Sequence, residues 1–311
     1  MLEKEKQHFT FKNFLYQVIL IRLAVLIGKV FPRQWGLKIA SLVGWIAGSI
    51  QSNPTVKSIQ ANQWVIHNQS LTAKELKAKS RTVLSSAAKC MFDYFYFLPR
   101  SEKLDQLIDF SPEARAACDR IRNNQPTVFA CPHTSNFDLM GYALTTQGLN
   151  LQVISYPSPN ASYKMQNKIR KGVGILVTPM SLSAFRLARK RLSEGKSILT
   201  GFDRPLENQQ PVKHQLVFFG HQAHLPAAYI RLAVDANVPV IILAATSQPG
   251  GRYRLEGSNP IWMETGDEID DEISYNANRV LRESEGLIKK YADQWAMFYP
   301  IWPQFTDTKK L

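Results

Sequence analysis

The sequence predicts an α/β protein with a mostly parallel central sheet flanked by helices and an N-terminal apolar helical segment that associates with a membrane. Three observations support this. From position 125 onward, short β-rich runs alternate with helical runs, the texture of crossover units in a parallel sheet. Before that point the pattern is helical, and Phe9 to Ile50 is rich in aromatic and aliphatic residues. The 311 residues are 45% apolar, enough to bury a sizeable core.

In chain order, Phe14 to Phe31 is apolar but broken by Arg22 and Lys29. It falls short of the roughly 20 uninterrupted apolar residues that a spanning helix needs. Trp35 to Ile50 is apolar and short, with Gly36, Gly44 and Gly48. Two apolar helices with Arg22, Lys29, Arg33 and Lys38 among them fit an interfacial or re-entrant anchor over residues 1–52. A helical hairpin packed on the core is the alternative. No small-residue cleavage site marks a secretory signal. Residues 53–124 read as helical, and the cluster Met91-Phe92-Asp93-Tyr94-Phe95-Tyr96-Phe97 reads as core or as the lining of an acyl-chain path. The α/β core spans 125–260. Its expected strands are Thr127–Cys131, Leu151–Ser155, Gly174–Thr178, Ser197–Phe202, Gln215–Phe219 and Val238–Ser247. Its expected helices are Asp138–Gln147, Ser181–Gly195 and Ala227–Ala236. Ser181 and Ser183 are candidate N-caps and Gly195 a stop. A C-terminal helix is expected over 273–297.

The formal net charge is +13 and the pI about 9.6, which calls for an anionic partner or surface. Lys164, Lys168, Arg170, Lys171, Arg186, Arg189, Lys190, Arg191 and Lys196 stand against one acid, Glu194, between positions 161 and 200. Few aromatics interleave with them and no nucleic-acid motif is present, so nucleic acid is not the expected partner. Cys90, Cys118 and Cys131 lack metal-ligand spacing and suit a reducing compartment. Cys131 is close enough to His133 to be weighed as a thiol nucleophile, but a cysteine in an apolar strand is ordinarily core filler. His8, His67, His214, His221 and His224 form no ligand pattern with His133, so no metal is expected.

The chemistry concentrates in Cys131-Pro132-His133-Thr134-Ser135-Asn136-Phe137-Asp138, between a strand-like and a helix-like run. Strand ends are where α/β enzymes place functional loops. A histidine there can take a proton from an alcohol, and a carboxylate beside it fixes the tautomer and stabilises the imidazolium. The helix that follows aims backbone N–H groups at any developing or resident negative charge.

This block resembles the H-x-x-x-x-D motif of the glycerolipid acyltransferase superfamily. More narrowly, the chain is similar to the lipid A biosynthesis (lauroyl/myristoyl) acyltransferases. Gly201-Phe202-Asp203-Arg204-Pro205, Phe218-Phe219-Gly220, Leu225-Pro226-Ala227, Arg231-Leu232-Ala233, Val238-Pro239-Val240-Ile241 and Tyr291 to Phe298 resemble further family segments in order. The resemblance implies His133 as general base with Asp138 as its partner. Asn136 in the turn, Arg170 in the basic run, and Asp203 and Arg204 at the second family-like segment are the candidate substrate-binding residues; Asp203 is alternatively the ion-pair partner of a basic neighbour. The family commonly has Asp-Gln where this chain has Asp203-Arg204. A guanidinium there suits an acceptor phosphate, which leaves the acceptor open among lipid A precursors, other glycolipids and lysophospholipids. The implied reaction is O-acylation of a lipid or glycolipid hydroxyl by an acyl thioester of acyl carrier protein or coenzyme A. It needs no cofactor and runs at the cytoplasmic face of the bacterial inner membrane, against anionic lipid.

Overall fold

The computed structural model describes residues 32–157, 161–205, 214–266 and 269–306. The expected anchor segment Phe14 to Phe31 therefore lies outside the described residues. A sheet of seven strands is built from β1 (Ile108–Phe110), β2 (Val128–Cys131), β3 (Gln152–Ser155), β4 (Leu176–Pro179), β5 (Ile198–Gly201), β8 (Val240–Gln248) and β9 (Arg252–Gly257). Their order is β1-β9-β8-β2-β5-β3-β4. The pairs β8–β2, β2–β5, β5–β3 and β3–β4 are parallel, and so is β1–β9, while β8–β9 is antiparallel. A separate hairpin pairs β6 (Leu216–Phe218) with β7 (His221–Ala223).

The helices are α1 (Arg33–Ser49), α2 (Pro54–Ile66), α3 (Ala73–Phe97), α4 (Pro112–Arg122), α5 (Phe137–Thr146), α6 (Ala161–Gly172), α7 (Leu182–Ser193), α8 (Ala228–Ala236) and α9 (Ile269–Lys290). Their starts follow local chemistry. Asn53 and Ser111 cap α2 and α4 with proline in the first turn, and Thr72 with Glu75 forms a capping box on α3. Ser181 caps α7, and Gly195, at φ 76°, lies just past its end.

The expected α/β core is present, with local differences. β1, β7, β9 and α6 were not anticipated. β1 and β7 are only three residues long, too short for a periodic signal. α6 is amphipathic but reads in sequence as a basic run. The expected C-terminal helix is shorter than the sequence suggests. It stops at Lys290, and Trp295 forms an isolated bridge with Thr134. The reason is tertiary: Trp295 is 1% exposed, packed beside the His133 loop.

α1 lies along α3. Gly36, Gly44 and Gly48 allow this close approach, since a Cβ on Gly44 would sit 2.3 Å from the Leu84 carbonyl and one on Gly48 2.6 Å from Arg81 Cα. Arg33 fixes the start of α1 with a two-pronged ion pair to buried Asp93 (2.8 and 2.6 Å), which also accepts from the Tyr253 hydroxyl at 2.7 Å. The opposite face of α1 exposes Trp35, Ile39, Leu42, Val43, Trp45 and Ile46. No helix among the described residues is long and apolar enough to cross a membrane.

Candidate active site

β2 and β5 are parallel neighbours, and Cys131 is in register with Gly201. Both strands end there, so His133 and Asp203, each two residues further on, leave the sheet side by side. Asp203 Oδ1 lies 2.6 Å from His133 Nδ1. Asp203 Oδ2 accepts from the His133 backbone N–H at 2.9 Å and from the Trp295 indole N–H at 2.8 Å. Asp203 is fully buried, and its two oxygens meet three nitrogens of the protein. The carboxylate therefore sets the imidazole tautomer: Nδ1 carries the proton and Nε2 presents its lone pair.

Asp138 is not the partner of the imidazole, which corrects the expectation from the motif. It sits in the first turn of α5 and turns towards α6. There Arg170 Nε donates to its Oδ1 at 2.6 Å and Gln166 Nε2 to its Oδ2 at 2.5 Å. Burial opposes the Arg170 charge, but Asp138 outweighs it and raises the guanidinium above its ordinary range. Arg170 also donates to Asn167 and lies under the Tyr163 ring. The pair thus ties α6 to the loop that carries His133.

Asn136 is used by the fold. Its Oδ1 caps α5 at Leu139 N–H, and its Nδ2 donates to the Cys90 carbonyl and to the Tyr253 hydroxyl. Its neighbour Ser135 adopts φ 47°, the left-handed bend that swings the loop from strand to helix. Cys131 is not a nucleophile in waiting. Desolvation, reinforced by the charge of Asp203, pushes its thiol up to about 12, so the reactive thiolate is scarce at neutral pH.

Two cavities meet at His133. One, of about 100 Å³, runs between α5 and the sheet past Met140, Leu144, Ile175, Leu199, Leu243 and Leu255. The other, of about 220 Å³, opens past Met91 of α3 and has Tyr94, Ser135, Gln166 and Arg204 in its wall. His133, Phe137, Asp138, Tyr163 and Arg170 line both. Gly201 makes room for the ring: a Cβ there would lie 2.7 Å from His133 Cε1. Arg204 stands in the second cavity with its guanidinium 3.9 Å from the ring centres of both Tyr156 and Tyr299. Its Nε is buried without a hydrogen-bond partner among the described residues. Among the described residues no group of His, Cys, Asp or Glu is arranged to hold a metal ion.

Residues 3–304 match the family described as bacterial lipid A biosynthesis acyltransferase. The chain belongs to this family. It is accordingly an acyltransferase of lipid. No curated protein matches it significantly. Among solved structures it is similar to the 1-acyl-sn-glycerophosphate (LPA) acyltransferase PlsC from Thermotoga maritima, at 15% identity and a TM-score of 0.35, over 82% of this chain and 98% of that one.

Within this family member, Tyr156, Gln166, Trp295 and Tyr299 join the site without having been singled out in sequence as site residues, and Tyr94 comes from the aromatic cluster read as core or as the lining of an acyl-chain path. Trp295 and Tyr299 come from the C-terminal segment, more than 150 positions from His133. The only local signal for Trp295 was its place in a family-like stretch. Gln166 lies four residues before Arg170 and so on the same face of α6, a helix that the sequence reading did not anticipate.

Proposed function

We propose that the protein transfers a fatty acyl group from an acyl thioester to a hydroxyl of a lipid or glycolipid acceptor, with His133 as general base and Asp203 as the carboxylate that orients it. The observation that carries this reading is the His133–Asp203 pair where two cavities meet, one walled by Met140, Leu144, Ile175 and Leu199 and the other by Ser135, Gln166 and Arg204.

The first cavity suits the acyl chain and puts its thioester carbonyl near His133. The acceptor enters through the second cavity. His133 Nε2 takes the hydroxyl proton as the oxygen attacks, forming the C–O bond. Asp203 stabilises the imidazolium. The tetrahedral intermediate collapses, the C–S bond breaks, and the imidazolium returns the proton to the departing thiolate. A thioester is already activated, so the step draws on no cofactor or metal.

Arg204 is the acceptor's anion contact in this reading. It is a cation with aromatic faces on both sides and an unused buried N–H, suited to a phosphate. Arg170 and Asn136 act indirectly here, by holding Asp138 and capping α5. The exposed lysines of α6 (Lys164, Lys168, Lys171) and exposed Arg186 of α7 offer an anionic handle on the donor a place to bind. Acyl carrier protein and coenzyme A both carry such a handle. The exposed apolar face of α1, with Lys38 over Trp35 and Arg81 over Trp45, suits the interface of an anionic membrane. Because α1 is packed along α3, it would lie on the membrane. The cytoplasmic face of the inner membrane, where acyl thioesters are available, is the matching location.

The test is direct. Purified protein is offered labelled acyl thioesters and phosphorylated and dephosphorylated lipid acceptors. Transfer is expected with wild type and not with His133→Ala; undiminished transfer by that variant would sink the general-base role. Arg204→Gln is expected to raise KM at least tenfold for the phosphorylated acceptor alone.

A further inference from the structure

We propose that Trp295 is a positioning residue of the acyl-transfer centre. Its indole N–H holds the Asp203 carboxylate in the rotamer that keeps Oδ1 on His133 Nδ1. The inference rests on His133 acting as the base.

Three features of the site support it. First, among the described residues Asp203 Oδ2 has one other tie, the His133 backbone N–H, which belongs to the same loop as the group being oriented. Among them, Trp295 alone anchors the carboxylate to something outside that loop. Second, the anchor is itself immobile. The indole is 1% exposed and meets the edge of Phe218, which stacks on Trp302 at 5.9 Å. Third, the segment carrying Trp295 is bound to the His133 loop along its backbone. Ala296 N–H donates to the His133 carbonyl at 2.8 Å, and Ser135 N–H donates to the Gln294 carbonyl at 2.7 Å. Gln294 in turn pairs both ways with the backbone of Ser247 at the end of β8, at 2.6 and 3.1 Å. The chain around Trp295 thus connects the catalytic loop, the β5 carboxylate and β8.

Without the indole N–H, Oδ2 keeps one donor and the carboxylate is free to swing, so Oδ1 leaves Nδ1 for part of the time. A side chain that merely fills the core would be replaceable by another ring. A side chain that positions the carboxylate would not be.

The experiment is a double-mutant cycle with a spectroscopic arm. Trp295→Phe is expected to lower kcat about 10- to 100-fold, the worth of a hydrogen bond to a charged group, with KM unchanged. In an Asp203→Asn background the same change is expected to cost less than twofold. Independently of turnover, the His133 Nδ1–H proton resonance is expected to move in Trp295→Phe. Equal losses in both backgrounds, or an unmoved resonance, would overturn the proposal. A moved resonance in a protein that transfers no acyl group would keep the Trp295 role and refute the acyl-transfer reading. If Trp295→Phe does not fold, a benzothiophene analogue of tryptophan at position 295, with sulfur in place of N–H, preserves the shape and gives the same readouts.

Discussion

Replacing Asp203 by asparagine and Asp138 by asparagine separates the two carboxylates near His133. Asp203→Asn preserves shape but gives the side chain one acceptor and one donor end. If Oδ1 faces Nδ1, the amide NH₂ is driven against the His133 backbone N–H and the Trp295 indole N–H, now 2.9 and 2.8 Å away. Two buried donors would then lack acceptors, at about 1–3 kcal/mol each. The opposite orientation keeps both bonds and turns the NH₂ to Nδ1. It wins on that arithmetic. It also forces the imidazole proton onto Nε2, which removes the lone pair that accepts the hydroxyl proton. The expected outcome is a fall in kcat of about 10²–10⁴, or roughly 3–5 kcal/mol, with KM and melting temperature little changed. Asp138→Asn instead strips the counter-charge from buried Arg170. Its loss is expected mainly in stability, about 3 kcal/mol by urea unfolding. Steady-state kinetics and unfolding curves on both variants decide the matter. A folded Asp138→Asn protein with no turnover, beside an Asp203→Asn protein above one tenth of wild type, would refute the partner assignment.

Gly201→Ala brings a methyl group to 2.7 Å from His133 Cε1, so turnover is expected to fall by up to about 100-fold in a folded protein, by the same assay. Arg33→Ala leaves Asp93 buried with its counter-charge removed. It is expected to cost about 3–5 kcal/mol in chemical denaturation and to expose the α1–α3 seam to protease. Cys131 gives a pH signature. Its folded thiol is pushed up to about 12, against about 8.5 unfolded. Its stabilising contribution is therefore complete below pH 8.5 and is lost as pH rises towards 12, at about 1.4 kcal/mol per pH unit. Cys131→Ala is expected to flatten the decline in stability between pH 9 and 10.5 by that amount, and an unchanged slope would contradict the burial of the thiol.

Much of the fold could be read locally. The strands β2, β3 and β5 and the helices α5, α7 and α8 showed in hydrophobic period, caps and stops, because those signals depend on neighbours a few residues away. His133 was legible for the same reason: a strand end, a turn and a helix start are adjacent in the chain. Asp203 and Arg204 stood out as a departure from the family's usual Asp-Gln.

The sequence by itself determined the family, with its lipid acyltransferase class, and marked out His133 at a strand end. Tertiary structure alone decided which carboxylate lies against its imidazole. Asp138 is nearer in the chain, but a helix's first turn directs its side chain to whatever packs alongside, here Arg170 of α6. Asp203 is seventy positions away, yet parallel pairing of β2 with β5 ends both strands together and places it under the imidazole. Strand order carries no local signature, because it is set by the burial of whole sheet faces and by the crossovers that join them.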